Sequence, residues 1–227
     1  WSKVSINALG QALPARMVRQ EFAVKSPVKR ATVYMSGLGY SELYLNGAKV
    51  GDHVLDPILR DYDKRVPYVT YEVTKQLKQG KNAVGELLGN GRFTTPRPGA
   101  RTFGFPKLRL ELHLELADGT QQTILSDPSW KLTTEGPIRE NNDYDGEVYD
   151  ARLEQAGWSE VGFNDSAWEA AQAVSAPAGV LSAPMMPSMR VTETLKPIAR
   201  TNPKPGVWIF DMGQNMVGWV QLRVKGP

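Results

Sequence analysis

The segment Asn141-Asn-Asp-Tyr-Asp-Gly-Glu-Val-Tyr-Asp-Ala-Arg152 holds the densest set of side chains able to do chemistry. Asp143, Asp145, Glu147 and Asp150 fall within one short stretch and make a candidate metal-ligand set. Oxygen donors at this density suit calcium, which accepts carboxylates and carbonyls in flexible geometry. Gly146 permits a sharp bend there. The pattern is not that of an EF-hand, because the Asp143-x-Asp145-Gly146 run lacks a third Asx and the distant Glu. Asp143, Tyr144, Glu147, Tyr149 and Arg152 also form a candidate carbohydrate-binding set. A sugar offers apolar C–H faces to aromatic rings and hydroxyl edges to charged side chains. The plainer alternative is a turn whose carboxylates cap backbone amides or pair with Arg152.

Paired carboxylates can also act as acid and base in sugar-bond hydrolysis. Such pairs face each other across the sugar, usually from separate elements, whereas these share one loop, so no catalytic residue is assigned. A second polar cluster, Asp61, Asp63, Lys64 and Arg65, reads as a solvated loop laced with ion pairs, with a hydrogen-bonding rim for hydroxyls as its alternative. Of the six tryptophans and eight tyrosines, Trp130, Trp158 and Trp168 read as core anchors, as does Phe163. His53 and His113 offer no ligand set, and His113 falls on the polar face of its strand. Gly89-Asn-Gly91 lacks the Lys and the following helix of a phosphate loop and reads as a turn.

The 227 residues suffice for one large domain or two small ones, and 41% hydrophobic with 22% charged residues is ordinary for a globular protein. A formal charge of +3, with Lys and Arg scattered among acidic residues, argues against nucleic acid as a partner. The absence of cysteine excludes disulfides, thiol catalysis and Cys-bound zinc. No apolar run reaches membrane-spanning length, so no membrane partner is expected. No signal peptide is recognisable at Trp1, and the abrupt ends at Trp1 and Pro227 read as those of a mature or trimmed piece of a longer protein.

The elements that must position these residues are strands. Sixteen prolines and twenty-one glycines at short intervals disfavour long helices. Val33–Met35, Glu42–Leu45, Tyr68–Val73, Ala83–Leu88, Leu108–Leu116 and Thr123–Leu125 are strand candidates. In Leu108–Leu116 every second residue is Leu, giving one apolar and one wet face. Asn46-Gly47 supplies the positive φ angles of a two-residue hairpin, and Asp118-Gly119 closes another. Helix-like stretches are confined to Lys75–Lys78 and Trp168–Val174. Pro96 to Pro106 is a loop in which Arg92, Arg97 and Arg101 cluster. Ala176 to Pro187 reads as a linker or crossing strand. After it, Val191–Leu195, Gly206–Phe210 and Trp219–Val224 read as further strands. The pattern predicts an all-β sandwich over residues 1–185, then the first strands of a second β-domain over 186–227.

Gly37-Leu-Gly-Tyr40, Glu42-Leu-Tyr-Leu-Asn-Gly47, Val50-Gly-Asp52, Leu55-Asp-Pro57, Tyr71-x-Val-Thr74, Leu88-Gly-Asn-Gly91, Asp143-x-x-Gly-Glu147 and Tyr149-Asp-Ala-Arg152 occur in that order. Together they resemble the N-terminal module of bacterial α-L-rhamnosidases. Phe210-Asp-Met-Gly-Gln-Asn-Met-Val-Gly-Trp219 resembles the opening of the β-domain that follows in that family. The resemblance implies a jelly-roll, galactose-binding-like β-sandwich, and a parent enzyme that hydrolyses terminal L-rhamnose from glycosides. It places that chemistry in an (α/α)6 barrel, a catalytic domain of the same polypeptide that these residues do not contain. It implies partners among L-rhamnose-containing glycans and an extracellular or periplasmic location. Some members use this module for calcium-dependent L-rhamnose binding, the alternative role, and calcium is the one cofactor expected. Two positions depart from the family: Arg92-Phe93 stands where Trp and another aromatic are common, and Leu59-Arg60 replaces a usual Trp-Thr pair.

Overall fold

A computed structural model describes residues 13–95 and 102–223. The chain divides into two units, Trp1–Arg190 and Val191–Pro227. The first carries β1 (Arg16–Val24), β2 (Val28–Leu38), β3 (Ser41–Leu45), β4 (Ala48–Lys49), β5 (Arg65–Pro67), β6 (Val69–Glu72), β7 (Gly80–Leu88), β8 (Lys107–Leu116), β9 (Gln121–Leu125), β10 (Lys131–Thr133), β11 (Ile138–Asn142), β12 (Gly146–Tyr149), β13 (Glu169–Ala170) and β14 (Val180–Ser182). The second carries β15 (Ala199–Lys204) and β16 (Val207–Asp211).

Two antiparallel sheets face each other in the first unit. One runs β13-β10-β1-β7-β3-β4 and the other β6-β2-β8-β9. Their inner faces make one apolar core of Val18 and Val24 from β1, Ala31, Val33 and Met35 from β2, Leu43 and Leu45 from β3, Val84 from β7, and the alternating Leu110, Leu112, Leu114 and Leu116 of β8. Between those leucines, His113 and Glu115 are exposed, as their alternation requires. Trp130 closes the core at 1% exposure, with its Nε1 donating to the Leu125 carbonyl at 2.9 Å. Trp168 is buried, while Trp158 and Phe163 are half-buried and pack edge or face against it.

The β3–β4 turn forms at Asn46-Gly47 with φ of 50° and 86°. The Asn46 amide adds bonds that a turn does not need. Its nitrogen donates to the Gln76 carbonyl and to Asn82 Oδ1, and its oxygen accepts from the Ala83 amide at 2.9 Å.

Several expectations are corrected. The helix-like stretch expected at Lys75–Lys78 is a single 3-10 turn shifted to Thr74–Gln76. Trp168–Val174 is not helical, since Glu169–Ala170 pairs with β10 instead. Among the described residues, Val191–Leu195 and Trp219–Arg223 form no strand, and β16 pairs with β15. Arg97 and Arg101 lie outside the described residues. The second unit is a hairpin whose Val207, Trp208, Ile209 and Phe210 are all exposed.

Candidate functional site

The Asn141–Arg152 segment folds as the β11–β12 hairpin, with Asp143, Tyr144 and Asp145 in its turn. Asn142 builds that turn, its Oδ1 accepting from the amides of Tyr144 and Asp145 at 2.8 Å. Asn141 fastens the hairpin to the sandwich, its Oδ1 accepting the Asn90 amide at 2.7 Å in the loop after β7. Gly89 leaves room for this, because a Cβ there would collide with the Asn141 amide. The Gly89 amide in turn donates to the Tyr40 carbonyl at 2.7 Å. Three separated motifs, Gly37–Tyr40, Leu88–Gly91 and Asn141–Asp143, therefore converge on one corner of the sheet.

At that corner both oxygens of Asp143 are engaged by the protein. One carboxylate oxygen accepts from the Tyr40 hydroxyl and the other from Arg92 Nε. Burial first, and then the Asp143 carboxylate, push the Tyr40 phenol well above its ordinary range. The Arg92 guanidinium also lies 5.2 Å over the Tyr144 ring, a cation–π contact that covers one ring face. Arg92 thus occupies both the carboxylate and the aromatic platform expected to meet a sugar.

The other expected residues do not join this corner. Asp150 lies past the end of β12 and is bound in a fork by Arg152, whose Nε and Nη2 donate at 2.8 and 2.7 Å. Those bonds hold its carboxyl down at about 2. Tyr149 donates its hydroxyl to Glu154 at 2.6 Å, and that bond pushes the phenol up to about 12. Glu147 shares the Tyr149 side of β12, and its carboxyl is raised by partial desolvation and then by Glu42. Asp145 stands in the turn, its amide spent on Asn142.

The expected calcium set Asp143, Asp145, Glu147 and Asp150 is accordingly not gathered. Among the described residues no three Asp, Glu or His side chains converge to hold a metal ion. Strand geometry explains this: residues advance about 3.3 Å each and neighbours point to opposite faces, so Glu147 and Asp150 diverge. Asp143 and Asp150 also already carry arginine partners. As placed, these side chains do not fit calcium, nor do they face one another as a catalytic acid and base. The plainer reading, carboxylates serving turns and an Arg152 pair, describes what the structure holds. Sequence spacing missed Tyr40 and Arg92 because both lie far away in the chain. In the second cluster Lys64 pairs with Asp61 at 3.3 Å, as a solvated loop would.

Comparison with known proteins gives this sandwich a family. The profile of the α-L-rhamnosidase N-terminal domain matches residues 26–193, and that of the bacterial α-L-rhamnosidase concanavalin-like domain matches 201–227. An α-L-rhamnosidase of Formosa agariphila is 40% identical over 219 residues, which are 93% of this chain and 23% of that protein. The structure of native α-L-rhamnosidase from Aspergillus terreus superposes with a TM-score of 0.89 at 38% identity, covering 96% of this chain and 26% of its own. The Streptomyces avermitilis α-L-rhamnosidase, solved in complex with L-rhamnose, gives 0.80 at 39% identity over 90% of this chain and 20% of its own. The fold is thus that of the N-terminal β-sandwich of these enzymes. The chain belongs to the α-L-rhamnosidase N-terminal domain family, and it spans about a quarter or less of the length of these relatives.

Proposed function

We propose that this chain is a non-catalytic β-sandwich portion of an α-L-rhamnosidase that removes terminal L-rhamnose from glycosides. Its role is to support the catalytic domain of the same polypeptide. The observation that carries this reading is coverage: the chain aligns along nearly its whole length with only 23% of an α-L-rhamnosidase, at the N-terminal domain. The state of the hairpin supports it too, because Asp143 and Asp150 are both spent on structural arginines. We place the parent enzyme outside the cell or in the periplasm, with rhamnose-containing glycans as its substrates; cell fractionation checks the location. The test of the main reading is hydrolysis of an aryl α-L-rhamnoside by this chain and by the longer polypeptide. Activity confined to the longer polypeptide is expected, and turnover by the 227 residues alone would overturn the proposal.

A second reading is an autonomous calcium-dependent L-rhamnose-binding module. It is favoured by one observation, the half-exposed rings of Tyr144 and Tyr149 flanking Glu147. It requires Arg92 to release Asp143 and Tyr144. Terbium luminescence sensitised by Tyr144 tests the metal half, and a dark titration removes it.

A further inference from the structure

We propose that His53 is the pH-sensitive half of a latch that holds the chain where it leaves the sandwich at Arg190. The segment before Arg190 returns across the loop that follows β4. It first pairs in parallel as β14 with β5, and the Tyr68 amide donates to the Ser182 carbonyl at 3.1 Å. Beyond Ser182 come Pro184 and Pro187, which have no amide to donate. The next backbone bond is from the Val54 amide to the Met189 carbonyl at 3.0 Å, beside an isolated bridge between His53 and Arg190. The grip on residues 189–190 therefore rests on that bond and on one side-chain cluster.

In the cluster, Arg190 Nε donates to Asp52 Oδ1 at 2.7 Å, and Arg190 Nη2 lies 2.8 Å from His53 Nε2. Arginine only donates, so Nε2 must accept and the neutral ring must carry its proton on Nδ1. Nδ1 lies 2.7 Å from Oδ2 of the buried Asp56 and 3.1 Å from the Tyr71 hydroxyl. The titratable and charged groups facing the ring are thus Asp52 and Asp56 from its own loop, Tyr71 from β6, and Arg190 from the returning segment. A second proton on the ring would put an N–H on Nε2 against an N–H of arginine, with two cations side by side. Asp56 favours that imidazolium, while Arg190 opposes it and, with an exposed side chain, is free to swing away from the ring. A second proton on the ring thus expels Arg190 and loosens the chain just before the second unit begins at Val191.

The test is amide exchange by NMR on the 227-residue chain, from about pH 8 to about pH 5, corrected for intrinsic rates. The Val54 amide reports docking of Met189. The Ala83 amide, bonded to Asn46 inside the sheet, reports the global fold. On acidification Val54 is expected to lose about tenfold protection relative to Ala83, with the midpoint of the His53 ring titration. His53→Gln, which can still accept from Arg190 but gains no proton, keeps Val54 protected throughout. Arg190→Met leaves it weakly protected at both ends of the range. An unchanged Val54-to-Ala83 ratio in the native chain overturns the latch, and so does an acid loss that persists in His53→Gln. Should that variant fail to fold, the surface variant Arg190→Met decides alone, because an acid response retained without Arg190 contradicts the proposal.

Discussion

Arg92 and Glu86 show how single residues set the behaviour of this sandwich. Arg92 ties Asp143 and Tyr144 together on a partly exposed corner, with side-chain exposures of 39% and 18% for the ion pair. An ion pair of that exposure contributes little, so Arg92→Ala is expected to cost about 0.5–1 kcal/mol in urea unfolding. A cost several times larger would mean the corner is a true keystone. Glu86 is a different case. It lies on the inner face of β7 between Val18 and Leu43 at 0% exposure, and neither carboxyl oxygen meets a donor in good geometry. Burial raises its carboxyl well above the ordinary carboxylate range, so the native chain keeps a proton that the unfolded chain gives up. The sign follows: the stability is fully present below the unfolded value and falls as pH rises from there toward the raised native value. The slope is about 1.4 kcal/mol per pH unit inside that window. Glu86→Gln removes the proton uptake. Measured by urea unfolding between about pH 4 and pH 7, it is expected to gain steadily on the native chain, and parallel profiles would contradict a buried neutral Glu86.

At the scale of elements, β8 with its one wet face was legible along its length, and β1, covered on both faces, was not. β8 announces itself because its leucines alternate with His113 and Glu115 on solvent. β1 does not, because its outer face is covered too: Arg19 is 1% exposed and bonds to Glu21, the Glu160 carbonyl and Asp165. Burial on both sides erases the period-two signal. The β11–β12 hairpin was hidden for the opposite reason, being mostly polar and defined by Asn141 and Asn142 and not by a hydrophobic face. Trp168–Val174 looked helical from its alanines, but its edge pairing with β10 prevailed over local propensity. The candidate site was legible as a set of residue types and not as a geometry, since Tyr40 and Arg92 come from distant turns. Two substitutions test the elements. Asn46→Gly keeps the turn's backbone freedom while deleting three side-chain bonds, and is expected to cost about 1–3 kcal/mol; an unchanged thermal midpoint would mean the turn conformation alone matters. Trp130→Ala empties the closed end of the core and is expected to cost about 3–5 kcal/mol by denaturant unfolding.

Over the whole molecule the two units are unlike. The first buries two apolar clusters, whereas the second exposes Trp208, Ile209, Phe210, Val217, Trp219 and Leu222. Apolar surface in such quantity associates. The full chain is expected to self-associate in sedimentation velocity, while a version ending at Arg190 stays monomeric and cooperatively folded. A strictly monomeric full chain at high concentration would show that the second unit hides this surface. The concanavalin-like match over residues 201–227 fits a unit that belongs to a larger β-domain. The central claim is that this sandwich supports a rhamnosidase and keeps its Asp143 corner closed by Arg92. Calorimetric titration of L-rhamnose into the chain, with calcium and again after chelation, tests it most directly. Silence in both conditions from a folded sample is the expected result, and heat that appears with calcium and vanishes with the chelator would contradict it.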